Sequence, residues 1–533
     1  MSVSDARTVS DNAESERRKI AGRAGIVAAG TLLSRVLGLV RDQVIAAMFT
    51  RVATDAFFIA FTLPNVLRQV LAEGAVQSAV LPVLATTRER EGDDRARRFF
   101  ANVRGISLVL WTLVSLLGVV FAPALVDLFA AGYRDIPGQF ERTVHLTRWV
   151  FPYIFCMGTA ALGMAALNTH KRFVATSFAP GLLNVAFIAC SLALPAWFEG
   201  RGIAPELALA AAVLGGGVLQ VMAQWPSLAR IGYLGRPRLE LADPGVREVG
   251  RRMLPVLAGM GVYYVDVVLA RRFLSELGVG AQSYFSWALR LCDFPQGIFV
   301  MALQTAALPS LARLAAREEH AEFAATFAFG MRLALFVAIP ATALAMALAE
   351  PLVVLLFQRG HFDALSAHET ARALVAQGAG IWLVAAVRQL VSAYYALGDT
   401  KTPARVAALD LCAFVVAALA LRGRFGHAGV SAAVSVASGV QATLLFIGLR
   451  PRLQKNIGGE LLRSVMKTAL ASALAALATT GLLAALELGT GVRAALLGTV
   501  VFAAAFVAAA LLVRSDELGA LSALVRRKLA RTR

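Results

Sequence analysis

Thr31-Leu-Leu-Ser-Arg-Val-Leu-Gly-Leu-Val-Arg-Asp42 reads as a membrane helix with charge inside it. The surrounding stretch, 25–49, is oily enough for a bilayer, yet it holds Arg35, Arg41 and Asp42. An ionised side chain near the bilayer centre costs about 2.5–3.5 kcal/mol on insertion scales, so these groups must face water or opposite charge. Thr31, Ser34, Arg35, Gly38 and Asp42 fall on one side of a helix, with Arg41 at its margin, and oily residues cover the rest. The next stretch, 53–85, repeats the pattern with Asp55, Arg68 and Glu73. Asp55, Thr62, Gln69 and Glu73 share a side, and Pro64-Asn65 interrupts the backbone hydrogen bonding and predicts a kink. Two such helices would line a polar cavity.

The rest of the chain is a membrane protein by composition. A hydrophobic share of 58% and a mean hydropathy of +0.67 over 533 residues exclude a water-soluble globule. Fourteen apolar stretches, each of about 20 residues or more, recur between 25 and 514. The net charge of +18 follows topology and does not indicate nucleic acid. With the N-terminus inside, alternate loops on the cytoplasmic side hold about 30 Lys and Arg against about 6 outside, which places both termini in the cytoplasm. Attraction to anionic membrane lipids accounts for the basic clusters at 88–104 and 526–533. Cys156, Cys190, Cys292 and Cys412 fall in separate spans and read as small core residues. Residues 1–24 are polar and read as a disordered lead, with the first span retained.

An internal repeat organises the spans. Ala75-Val-Gln-Ser-Ala-Val-Leu-Pro-Val-Leu-Ala85 returns as Ala302-Leu-Gln-Thr-Ala-Ala-Leu-Pro-Ser-Leu-Ala312, identical at seven of eleven positions. Pro123 with Phe129 echoes Pro351 with Phe357, and Ala166-Leu167 with Lys171 echoes Ala396-Leu397 with Lys401, all at a separation of about 230 residues. Six spans precede the second half, so the halves run parallel. The expected fold is an all-α polytopic membrane protein of 14 transmembrane helices. Two parallel six-helix lobes, 25–229 and 248–449, surround a central cavity; a cytoplasmic linker, 230–247, joins them. Two added helices, 464–514, and a basic cytoplasmic tail, 515–533, follow.

The second half has its own polar groups. Arg290 and Asp293, three residues apart, precede Pro295 and Gly297 and are close enough on a helix to pair. Arg271 and Arg272 sit near the outer end of their span and are expected to snorkel to the interface. Asp266 lies deeper and marks either a cation or proton site or a partner elsewhere in the fold. Four arginines, Arg35, Arg41, Arg68 and Arg290, outnumber the carboxylates able to pair with them, and the guanidinium fork suits phosphate oxygens. The inferred ligand is a phosphorylated anion.

Together with Ala53-Thr-Asp-Ala-Phe-Phe58, Leu63-Pro-Asn-Val-Leu-Arg68, Ala72-Glu-Gly-Ala75, Arg290-Leu-Cys-Asp-Phe-Pro-Gln-Gly297 and Gly398-Asp-Thr-Lys-Thr-Pro403, the opening motif resembles the MurJ (MviN) family of lipid II flippases. The resemblance runs from about residue 24 to the last span. It implies a transporter of the multidrug/oligosaccharidyl-lipid/polysaccharide exporter superfamily, in a bacterial inner membrane. The cargo it implies is the undecaprenyl-pyrophosphate-linked peptidoglycan precursor, moved from inner to outer leaflet by alternating access. The substrate-binding arginines of the family fall on Arg35, Arg41, Arg68 and Arg290, and acidic or gating positions on Asp42, Asp55, Glu73 and Asp293, the last standing where many relatives have Glu. Some relatives hold sodium in helices 7, 11 and 12; Asp266 and Asp410 are the candidates here, and sodium, a proton or the membrane potential are the alternative couplings. The last two helices correspond to a groove for the lipid tail. A monomer without cofactor, nucleotide-binding motif or catalytic residues is expected. A flippase for another polyprenyl-linked glycan and a multidrug exporter are the alternative readings, the latter disfavoured because an arginine-lined cavity repels cationic cargo.

Overall fold

The computed structural model describes residues 25, 29–69, 76–453 and 457–519, which are mostly helical with no strand among them. Glu73, the lead 1–24 and the tail beyond 519 lie outside the described residues. The chain divides into two compact units, Met1–Tyr264 and Val265–Arg533. Ten described helical segments are long and apolar enough to cross a membrane. The four remaining stretches of the sequence reading, 25–49, 53–85, 249–274 and 282–312, are helical over nearly all of their described residues.

The first unit starts with α1 (29–48), α2 (Arg51–Leu67) and α3 (Gln77–Glu91), followed by α4 (Asp93–Val120) and the short α5 (Ala122–Ala130). Thr50 caps α2, its hydroxyl accepting from the Ala53 N–H at 3.4 Å. Next come α6 (Gln139–Val150), α7 (Tyr153–Thr169), α8 (Phe173–Ala193), α9 (Pro195–Glu199) and α10 (Leu207–Arg230), with α8 packed on α10, α10 on α7 and α2 on α6. The unit boundary falls within α11 (Pro244–Ser275).

The sequence-predicted linker lies along α4 and belongs to the first unit. Asn102 brackets Glu240 from both sides, donating to its carbonyl (2.7 Å) and accepting from its N–H (2.6 Å). Arg95 grips Asp243 with two bonds, 3.0 and 3.1 Å, and Arg104 donates to the carbonyls of Tyr233 and Gly235. Gly105 is required where the Arg238 carbonyl presses on α4, since a Cβ there would overlap it. Asp243 also accepts from the Gly245 N–H at 2.8 Å, capping α11 with Pro244 in its first turn. Burial pushes the Asp243 carboxyl up, but the bonds from Arg95 and Gly245 outweigh it and hold the group below its ordinary value of 3.8. A depressed carboxylate stabilises the fold above its unfolded value, so the clamp is at full strength at neutral pH and is lost only as pH falls below 3.8 and through the lower folded value. Asp243→Ala is expected to speed amide exchange across 238–245 about tenfold at neutral pH, the loss of a charge-assisted pair worth about 1.5–3 kcal/mol; unchanged exchange would exclude the clamp.

The second unit contains α12 (Ala281–Pro295), a π-turn at Gln296–Val300, α13 (Met301–Ala316), α14 (His320–Ala347), α15 (Ala349–Phe357), α16 (Ala364–Gly378), α17 (Ile381–Ala396), α18 (Lys401–Phe425), α19 (His427–Leu449), α20 (Ile457–Ala485) and α21 (Val492–Leu512). Phe323, Phe327, Met331, Leu390, Tyr394 and Leu445 form its main core, joining α14, α17 and α19. The α20–α21 pair is fixed to α14 through Phe336, Ala471 and Ala509, and to its far end through Leu348, Leu483 and Ala494.

All three sequence echoes take matching shapes in the two units. The first copy follows Pro64 and π-conformation at 68–69, and the second follows Pro295 and the π-turn. Pro123 and Pro351 begin nine-residue helices, α5 and α15, after breaks at Phe121 and Leu348, with Phe129 and Phe357 buried at their ends. Near the third echo α7 and α17 close alike, three residues out of register with it: Arg172 N–H donates to Leu167 O and Asp399 N–H to Tyr394 O, both at 2.9 Å, across left-handed Lys171 (φ 57°) and Gly398 (φ 74°).

Candidate functional site

In the first unit the polar side of α1 turns inward, as its spacing predicts. Leu32 and Val36 are more than half exposed, whereas Asp42 is 5% exposed and Arg35 and Arg41 are partly buried. The seam is with α8, and small residues make it close: a Cβ on Gly30 would lie 2.5 Å from the Ser177 carbonyl oxygen. The Arg41 guanidinium bonds Asp42 through Nε (2.8 Å) and Nη2 (2.7 Å), bonds Asn184 Oδ1 through Nη1 (3.0 Å), and stands 5.4 Å from the Phe187 ring centroid. Phe187 packs edge-on against Phe57 and Phe61 of α2, the helix that buries Asp55 completely.

Past the Pro64 interruption, Arg68 Nε donates to Asn65 Oδ1 (3.0 Å), and Gln69 accepts from the Tyr264 hydroxyl (3.2 Å). This brings Arg41, Asp42 and Asp55 of the predicted set into one packed region of α1, α2 and α8, while Arg68 lies farther along α2. Asn184, Phe187 and Tyr264 were not singled out from sequence. A lone amide in an apolar helix was the available signal for Asn184.

In the second unit α12 is buried from Ala281 to Ala288 and then exposes Arg290, Asp293 and Phe294 before the π-turn. Arg271 departs from the expected snorkelling. It turns into the bundle, where Nη1 donates to Gln282 (3.0 Å) and Ser286 (2.8 Å), and Gln282 returns a bond to the Arg271 carbonyl. Ala270 and Phe273 of α11 pack with Phe414 and Ala418 of α18, the two helices that carry Asp266 and Asp410. The Asp266 Oδ1 is buried and accepts no hydrogen bond among the described residues, and no cluster of three metal-ligating side chains occurs among them.

An apolar groove of about 1050 Å³ opens in the same unit. Met331, Leu335, Trp382, Leu390, Phe446 and Val465 wall it, and Arg450 stands at the end of α19 where the groove meets the turn.

Solved structures of similar architecture are membrane transporters. An inward-facing multidrug resistance MATE transporter of the MOP superfamily superposes with a TM-score of 0.65 at 15% identity, over 81% of this chain and 96% of that one. A structure described as lipid II flippase MurJ, inward closed conformation, reaches 0.76 at 19% identity, over 92% of this chain and 98% of its own. The chain shares its fold with these two structures. The family model for lipid II flippase MurJ matches residues 44–501. The probable lipid II flippase MurJ of Vibrio cholerae is 36% identical over 434 residues, covering 80% of this chain and 82% of that protein. The lipid II flippase MurJ of Burkholderia cenocepacia is 36% identical over 430 residues, covering 79% and 82%. The chain belongs to the lipid II flippase MurJ family.

Proposed function

We propose that this protein moves lipid II, the undecaprenyl-pyrophosphate-linked peptidoglycan precursor, from the inner to the outer leaflet of a bacterial inner membrane, with both its termini in the cytoplasm. The observation that carries the reading is the arginine set within otherwise apolar spans, with Asp42 paired to Arg41 and Asp55 buried on α2, in a chain of this family. Arg35, Arg41, Arg68 and Arg290 bind the pyrophosphate, whose oxygens accept from the planar fork in pairs. Asp42, Asp55, Glu73 and Asp293 compensate these charges when the substrate is absent and compete with it at release. Only the head group needs a polar route, so the prenyl chain remains in hydrocarbon along the groove beside Arg450. Alternating access then presents the head group to each side in turn. The protein works as a monomer and catalyses no covalent step.

Depleting the protein in its host tests the assignment. Lipid II is expected to accumulate in the inner leaflet, and accumulation of a different polyprenyl-linked glycan would replace this substrate with that one.

Asp266 and Asp410, carried on the packed helices α11 and α18, serve as the coupling site, where a cation or proton neutralises carboxylates held within the span. Asp266→Asn and Asp410→Asn are each expected to make translocation in vesicles insensitive to imposed sodium and pH gradients. Gradient dependence equal to that of the unaltered protein would remove this pair from the coupling.

A further inference from the structure

We infer that Asn184 and Phe187, one turn apart on α8, form a seat that positions the Arg41 guanidinium and through it sets the affinity for the pyrophosphate. The inference rests on the proposed function for its ligand, but the seat itself is read from geometry. Asn184 is 5% exposed and sits in an otherwise apolar span. Both ends of its amide are used: Oδ1 accepts from Arg41 Nη1 at 3.0 Å, and Nδ2 donates to the Ser34 carbonyl at 2.9 Å. The second bond anchors the amide to the backbone of α1 at the residue before Arg35, which holds its oxygen toward the Arg41 side chain.

Phe187 is 1% exposed and supplies the ring face beside the guanidinium at 5.4 Å. Asp42 completes the arrangement with two contacts at 2.7 and 2.8 Å. A long, flexible side chain is thus held by an amide, a ring and a carboxylate from two helices that the Gly30–Ser177 contact brings together. The acceptor on Asn184 is neutral. It orients the guanidinium without cancelling its charge, whereas a second carboxylate in its place would compete with an incoming anion. Neither residue touches substrate in this scheme; both are positioning residues acting through Arg41.

The test uses the full chain in detergent, with undecaprenyl pyrophosphate as probe. Asn184→Leu keeps the volume and removes both bonds, Asn184→Ala removes the bonds and the bulk, and Phe187→Leu removes the ring while leaving the amide. Each folded variant is expected to bind the probe more weakly, by about tenfold for Asn184 and about threefold for Phe187. In an Arg41→Ala background the same substitutions are expected to change affinity less than about twofold, because the group they position is gone. A residue that merely held α1 in place would weaken binding equally in both backgrounds, and that result would overturn the inference, as would unchanged affinity in the single variants. If neither Asn184 variant folds, the Phe187 pair of measurements decides. Arg35→Ala separates the two levels of the argument. Loss of binding there with no Arg41-dependent effect at the seat rejects the seat alone, and retained binding in Arg35→Ala rejects the pyrophosphate reading itself.

Discussion

Arg35→Ala and Arg290→Ala are each expected to cut translocation of lipid II in reconstituted vesicles by about a hundredfold or more while leaving the protein folded. Truncating one member of a desolvated, hydrogen-bonded charge pair costs about 2–5 kcal/mol, and 2.7 kcal/mol is already about a hundredfold. The two residues come from different units, Arg35 from the partly buried side of α1 and Arg290 from the exposed end of α12. A purely structural role would appear as a lowered melting temperature with residual activity in the folded fraction. Arg35→Lys and Arg290→Lys sharpen the test. Lysine keeps the charge but offers a compact ammonium in place of a planar fork, so these variants are expected to recover less than about a tenth of the rate. Full activity in the lysine variants would reduce the arginines to point charges, and full activity in the alanine variants would remove them from the mechanism.

Filling the apolar groove is expected to produce the second large effect. Thr443 lines it from α19 with an exposed side chain whose hydroxyl bonds the Gly439 carbonyl, so Thr443→Trp adds bulk to the groove without overpacking the core behind it. Translocation of the full-length prenyl substrate is expected to fall about tenfold, on the scale of losing the burial of two methylene groups at about 0.8 kcal/mol each. A short-chain analogue with the same head group is expected to move at an unchanged rate. Equal losses for both substrates would mean that the substitution disturbs the unit and not the tail. No loss for either would place the prenyl chain elsewhere.

Much of the fold was legible because the relevant signals are periodic. The polar side of α1 could be read from residue spacing, and the exposed Leu32 and Val36 opposite buried Asp42 follow from it. The repeat was legible in eleven residues and two weaker echoes, and the shared physical causes are visible in each: a proline before a π-turn, a proline opening a nine-residue helix, and a left-handed residue closing a span. What escaped the sequence depends on contacts between distant segments. A lone amide in an apolar span marks Asn184, but its role is not local, because it is set by Arg41, 143 positions away. Arg271 near a helix end fits snorkelling equally well until Gln282 and Ser286 are seen beside it. The 230–247 segment reads as a linker by its proline and charge content, yet Asn102 and Arg95 bind it along α4 with bonds that its own composition does not announce. Of the candidate site, the residue types and the helix faces were readable, and the partners that orient them were not.

The central claim is that guanidinium groups within the spans recognise a pyrophosphate. Its most direct test is equilibrium binding of undecaprenyl pyrophosphate and undecaprenyl monophosphate to the purified chain, beside a variant with Arg35, Arg68 and Arg290 all replaced by alanine. The account predicts that the unaltered protein prefers the pyrophosphate by about tenfold or more, through the added bidentate contacts, and that the triple variant binds both weakly and without preference. Equal affinity for the two lipids in the unaltered protein, or an undiminished pyrophosphate preference in the variant, would contradict it.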